Sequence, residues 1–78
     1  MIEFTYKKDN GDISHRKLMV LNEPSDLYFG VDVTNVDKDT TEELNMLMKK
    51  QGRELEEFLV EKSLTSKYRS FKKNGVTI

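Results

Sequence analysis

Residues 2 to 21 read Ile2-Glu-Phe-Thr-Tyr-Lys-Lys-Asp-Asn-Gly-Asp-Ile-Ser-His-Arg-Lys-Leu-Met-Val-Leu21, and this stretch sets the fold class. Ile2, Phe4 and Tyr6 alternate with Glu3, Thr5 and Lys7, which is the period of a strand with one face buried. Asp9-Asn10-Gly11-Asp12 follows at once, and Asn-Gly tolerates the positive φ that tight hairpin turns demand. A second strand is expected from Ile13 to about Leu21. A one-residue slip exchanges the two faces of a strand, so the register can be argued. A two-residue Asn10-Gly11 loop would set Phe4 against Lys17 and Glu3 against Leu18, mixing apolar with charged positions. A three-residue loop with Gly11 in a bulge sets Phe4 against Leu18, Ile2 against Val20 and Tyr6 against Arg16. That register is the expected one, with the Arg16 guanidinium lying along the Tyr6 ring.

Outward from the hairpin, Asn22-Glu-Pro-Ser-Asp26 reads as a turn, because Pro24 fixes φ and lacks the donor a central strand needs. A third strand runs from Leu27 to about Val33, with Leu27, Phe29, Val31 and Val33 alternating with Tyr28, Gly30 and Asp32. Gly30 marks a bulge or a close backbone approach. From Asp37 the signals change to those of a helix start: Asp39 or Thr40 as cap, Glu42 or Glu43 following, and acids facing the positive end of the dipole. Leu44, Leu47, Met48, Leu55, Phe58, Leu59 and Lys62 approximate one stripe. Gln51 and Gly52 interrupt it, the glycine at about 1 kcal/mol relative to Ala, and one continuous helix to about Lys62 is expected. Leu64-Thr-Ser66 ends the helix. Residues 67 to 78 then give a short strand, an Asn74-Gly75 turn and a terminal Val76 to Ile78 returning to the sheet. The order is β-β-β-α-β in a single α+β domain spanning residues 1 to 78.

The chain has 78 residues, no Cys and only His15, so neither a disulfide nor a Cys/His metal site is available and packing alone holds a small core. The charged first residues are unlike a secretory signal, and the apolar runs are far shorter than a membrane span. A cytoplasmic protein is expected, without a membrane partner. Formal net charge is −1, but its distribution is uneven. Residues 37 to 62 carry eight acids and five bases, whereas residues 63 to 78 carry Lys67, Arg69, Lys72 and Lys73 and no acid.

Four segments fall in a familiar order: Ile2-Glu-Phe-Thr-Tyr6, Asn10-Gly-Asp-Ile-Ser-His-Arg16, Asp26-Leu-Tyr-Phe-Gly30 and Tyr68-Arg-Ser-Phe-Lys72. Together they resemble the WYL domain, a small β-barrel of the Sm type found in bacterial transcription regulators. The resemblance implies a strongly bent antiparallel sheet or open barrel with one long helix packed on it, and ligand or single-stranded nucleic-acid sensing. Arg16 matches the arginine of that family's second strand, and Arg69-Ser-Phe71 matches its late Arg-x-Phe element. The name-giving Trp-Tyr-Leu falls at Leu27-Tyr28-Phe29, with no Trp, and the Asp-Arg-Ile element has become Asn74-Gly75-Val76. The chain has no room for the helix-turn-helix such regulators carry. In type it resembles small stand-alone phage or mobile-element proteins that act on host machinery.

The inventory of reactive groups argues against catalysis. His15 lacks a second His, a Cys or a Gly-x-Ser-x-Gly and reads as an ordinary strand residue. Glu42 with Glu43, and Glu56 with Glu57, are adjacent on a helix and diverge. Asp9, Asp12, Asp37 and Asp39 lack the spacing of a calcium loop and serve turns and caps. Gly11, Gly30, Gly52 and Gly75 are isolated, so no phosphate loop exists. No catalytic, cofactor or metal site is expected.

Two surfaces remain. The basic tail, Lys67, Tyr68, Arg69, Lys72 and Lys73, together with Arg16 and Tyr28, has the composition that holds phosphates and stacks bases. The helix presents Glu43, Met46, Lys50 and Glu57 as an interface for a protein, since Met46, Leu47, Met48 and Val60 cannot all reach one core stripe. A regulatory or inhibitory module for a protein partner is the first expectation. A single-stranded nucleic-acid module is the second, and a homo-oligomer subunit the third.

Overall fold

In the computed structural model, which describes residues 1–50 and 52–78, the elements run β1 (Ile2–Lys7), β2 (Ile13–Asn22), β3 (Leu27–Asp32), α1 (Lys38–Lys50), α2 (Arg53–Glu61), a 3₁₀ turn (Leu64–Lys67), β4 (Tyr68–Lys72), a second 3₁₀ turn (Lys73–Gly75) and β5 (Val76–Thr77). The strands form one antiparallel sheet in the order β4-β3-β2-β1-β5, with the two helices packed on it. This is a small α+β fold whose sheet is not closed into a barrel.

The long β2 organises the sheet. Its first half pairs with β1, from Lys7 opposite Ile13 to Ile2 opposite Leu18, and its second half pairs with β3, from Leu18 opposite Asp32 to Asn22 opposite Phe29. Leu18 is the β2 position paired with both β1 and β3 and is fully buried. Two half-sheets thus share a strand and fold toward each other. Phe71 on β4 meets Phe4 and Tyr6 on β1 edge-on, at 5.2 Å and 5.0 Å between centroids, although β1 and β4 are separated in the sheet by β2 and β3. Phe4, Leu18 and Phe71 make an inner core, with Ile2, Tyr6, Val20, Tyr28 and Val76 packed round it.

A second core lies on the helix side, where Met19, Val31 and Val33 from the sheet meet Leu44, Phe58, Leu59 and Leu64. The β3 strand is therefore covered on both faces, and Gly30 shows how tightly. A Cβ there would sit 2.0 Å from the Met19 carbonyl oxygen, and a register shift between Val20 and Asn22 lies opposite. Both readings of Gly30 hold.

Three expectations need correction. The hairpin loop does have three residues with Gly11 at positive φ (90°), but it spans Asp9 to Gly11 and closes on a Lys8–Asp12 pair: Lys8 N–H donates to the Asp12 carbonyl at 2.8 Å and Gly11 N–H to the Lys8 carbonyl at 2.9 Å. Phe4 consequently faces Arg16, Ile2 faces Leu18 and Tyr6 faces Ser14. The slip from the expected register is two residues, so every side chain stays on its expected face. The loop is set by the Asn10 side chain, whose oxygen accepts from Asp12 N–H at 3.0 Å, fixing a turn one residue earlier than Asn-Gly composition suggests.

The second correction concerns the helix, which is two helices. Gly52 takes φ 130° and ψ −160°, a conformation only glycine adopts easily, and α2 starts after it at Arg53. The stripe is otherwise as expected, with Leu44, Phe58 and Leu59 buried, Leu47, Met48 and Leu55 partly so, and Lys62 outside with its ammonium 6.0 Å from the Phe58 ring centroid. The third is the cap. Asp37, rather than Asp39 or Thr40, accepts from Thr40 N–H at 3.0 Å, and this hydrogen bond holds its carboxyl below the usual carboxylate range.

The chain's end behaves as expected, with β5 returning to pair Val76 with Tyr6 and Thr77 with Thr5. Among the described residues, no helix is long and apolar enough to cross a membrane.

Candidate anion-binding cleft

The most concentrated polar chemistry lies where the two half-sheets part. The β3 strand ends at Asp32 opposite Leu18; Val33 N–H still donates to the Lys17 carbonyl at 2.9 Å, and beyond it Arg16 has no paired backbone across from it. Arg16 occupies that vacated position on the inner face of β2, on the same parity as Leu18. Arg69, second residue of β4, pairs with Gly30 and shares the inner face with Asp32. The stagger of the strands thus brings residues 16, 32 and 69 together.

Asp32 is the anchor. It is 6% exposed, and its Oδ2 meets the Arg16 guanidinium at 3.4 Å and the Arg69 guanidinium at 3.7 Å. Its Oδ1 accepts from Thr34 N–H at 3.0 Å and from the Thr34 hydroxyl. The Thr34 hydroxyl oxygen in turn accepts from Lys17 N–H at 3.0 Å, tying the carboxylate to the bend in β2. A buried carboxylate needs such partners, since an unpaired charge in a core costs several kcal/mol, roughly, even after relaxation.

The two arginines are only partly used by this arrangement. Arg16 donates further to the Ser14 hydroxyl at 3.4 Å, and Arg69 lies 5.4 Å from the Phe71 ring centroid. Each guanidinium carries five N–H donors, so several remain directed into a cleft of about 180 Å3 lined by Arg16, Asp32, Asn35, Ser66, Lys67 and Arg69. Three cations there face one carboxylate. The excess positive charge, the fork geometry of the guanidiniums and the Ser66 and Asn35 side chains suit an oxyanion of phosphate size.

Of the residues expected to bind nucleic acid, the structure thus unites Arg16, Lys67 and Arg69. It disperses the rest. Lys73 forms an ion pair with Glu23 at 2.9 Å and sits 5.0 Å from the Tyr28 ring centroid, at the far end of β4. Lys72 lies opposite Leu27, on the helix-side face of β4. Tyr68 shares that face and stacks on Phe29 at 5.9 Å, both rings over a third exposed. Strand alternation splits the tail, so its aromatic and basic residues do not form one surface. Arg16 is not beside Tyr6, because the true register moves it opposite Phe4 and Asp32 draws its guanidinium the other way.

Sequence reasoning missed Asp32 and Thr34. The signal was present: a carboxylate ends an otherwise apolar strand, and a hydroxyl residue follows at the spacing that lets an aspartate bond its own backbone two residues on. The residues expected to bind a protein are exposed as anticipated. Glu43, Met46 and Lys50 fall along one side of α1, with Met46 63% exposed, while Glu57 lies on α2 and pairs with Arg53 at 3.5 Å. No cluster of His, Cys or carboxylates suited to a metal is found among the described residues.

No family model matches this chain, and neither a curated protein nor a solved structure resembles it significantly.

Proposed function

We propose that this protein is a non-enzymatic binding module that takes a phosphate of single-stranded nucleic acid between Arg16, Arg69 and Lys67. The observation that carries this reading is the convergence of three cations from distant parts of the chain on one cleft, with a single buried carboxylate holding the two guanidiniums in place. Phosphate contacts supply most sequence-independent affinity for nucleic acid, and guanidiniums suit them in geometry and charge. The resemblance to WYL domains points the same way, since its matching arginines are two of the three cleft cations.

Fluorescence anisotropy with a labelled oligonucleotide tests the reading. Binding should weaken with salt at a log–log slope of about −0.7, the value for one phosphate neutralised on a single strand. Arg69→Ala should lower affinity about tenfold and flatten that slope. Inorganic phosphate at millimolar concentration should compete. A salt-independent signal, or affinity unchanged in Arg16→Ala and Arg69→Ala proteins that remain folded, would sink the proposal.

A second reading, a regulatory or inhibitory module for a protein partner, is favoured by the solvent-facing row Glu43, Met46 and Lys50 on α1 and by Val60, 68% exposed, on α2. Affinity capture with the wild type and a Met46→Asp, Val60→Asp protein tests it, and a partner retained equally by both would count against that surface.

A further inference from the structure

The β4 strand ends the sheet, and its outer side is open. Which backbone groups face outward follows from the ladder. Lys73 N–H donates to the Asp26 carbonyl at 2.9 Å, so residues 73 and 26 form a hydrogen-bonded pair in the same register that sets Lys72 opposite Leu27. Antiparallel ladders alternate such pairs with non-bonded ones. Phe71 and Arg69 therefore turn their N–H and C=O groups to β3, while Ser70 and Lys72 turn theirs away from the sheet. An unpaired edge of this kind is a template for another strand.

The side chains around that edge define what strand it accepts. Lys67 and Lys72 flank it and form no ion pair among the described residues, whereas Arg69 and Lys73 are engaged by Asp32 and Glu23. Residues 63 to 78 contain no acid. On the helix side of the same edge, Tyr68 and Phe29 stack 5.9 Å apart and remain 39% and 37% exposed. An incoming strand lays alternate side chains against that pair. A second copy of β4 is a poor occupant, because antiparallel pairing would set the lysines and Arg69 of each copy against those of the other.

We infer that the β4 edge is a docking site for an extended acidic segment of a partner protein, which adds a strand through Ser70 and Lys72, places carboxylates by Lys67 and Lys72, and sets an apolar side chain on Tyr68 and Phe29. Main-chain hydrogen bonds supply affinity in this mode, and the flanking side chains supply selectivity. The lysines that keep neutral strands and sister copies off the edge are the groups an acidic strand would satisfy. This surface shares Lys67 with the cleft, while Ser70 and Lys72 lie outside the cleft and Arg16 and Asp32 lie away from the edge on the inner face.

The test uses the full chain and a fluorescein-labelled peptide with one central valine flanked on both sides by glutamates, so that a carboxylate can reach Lys72 on the face that carries the valine, and the same peptide with lysines in place of the glutamates as comparator. The acidic peptide should bind and the basic one should not, and amide hydrogen exchange should slow at Ser70 and Lys72. Ser70→Pro removes the outward N–H while costing no ladder bond, and it should weaken peptide binding about tenfold. Lys72→Glu should weaken it without touching the backbone, which keeps the test decisive if the proline variant fails to fold. Arg16→Ala should leave peptide binding unchanged while weakening the oligonucleotide, so the two sites fail independently. Absence of binding, protection mapped to α1 or α2 instead of β4, or concentration-dependent pairing of β4 between copies would overturn the inference.

Discussion

The two cores of this small domain are built on opposite principles. On the helix side, aliphatic residues from β2 and β3 meet a stripe from α1 and α2, a sheet-to-helix contact that an amphipathic pattern foreshadows. On the inner side, Phe4, Tyr6 and Phe71 meet because the sheet bends at Leu18. Ring edges pack on ring faces there, which favours T-shaped geometry over parallel stacking. The first core depends on helices being formed, the second on two strands far apart in the sheet coming together. The inner core is what positions the cleft, since Arg16 and Arg69 extend from the same strands and the same face as Leu18 and Phe71.

Truncating each core separates their roles, and these changes carry the largest expected effects. Phe71→Ala should destabilise the protein by about 3–5 kcal/mol and Leu44→Ala by about 2–5 kcal/mol, each a large share of what a domain this size can hold. Urea denaturation gives the totals, and amide exchange distinguishes the cases. Loss of Phe71 should expose β1 and β5 amides before those of the helices, while loss of Leu44 should do the reverse. Equal loosening of all amides in both variants would mean that the cores are one cooperative unit.

An intermediate effect is expected at the junction of the helices. A Cβ at Gly52 meets no atom within 4 Å, but φ 130° strains any other residue. Gly52→Ala should therefore destabilise by about 1 kcal/mol or more. Were the helix continuous there, the same change would stabilise by a similar amount, so the sign of the change in melting temperature decides between two helices and one.

The smallest effect concerns Asp37. Its carboxyl is held below its ordinary value by the hydrogen bond from Thr40, so its cap contributes above the unfolded-state pKa and is lost as pH falls through the folded-state value. An NMR titration of the Asp37 carboxyl should show a midpoint below the ordinary aspartate value, and Asp37→Asn should remove this part of the acid sensitivity while leaving both cores intact.

Which face each strand residue takes was legible in the sequence, because side-chain alternation survives a two-residue error in register. That is why Phe4 and Leu18 were placed together even though Phe4 actually pairs with Arg16. The helix stripe was legible for the same reason, being a local period. The break at Gly52 was signalled by composition, but its outcome rests on one backbone conformation that composition leaves free. Of the cleft, Arg16, Lys67 and Arg69 were singled out by type, without any means of knowing that they meet.

By itself, then, the sequence determined three strands followed by a helical segment and a return to the sheet, the buried faces and the absence of groups for disulfide or Cys/His metal chemistry, all of which depend on residue identity and short-range spacing. Only the tertiary structure decided that β2 serves two half-sheets, that Phe71 crosses to Phe4 and Tyr6, and that Asp32 gathers Arg16 and Arg69 into one cleft. The Phe71 and Asp32 contacts join residues 16 to 67 positions apart in sequence, and their energy comes from closure of the bent sheet. No local pattern encodes the angle of that bend.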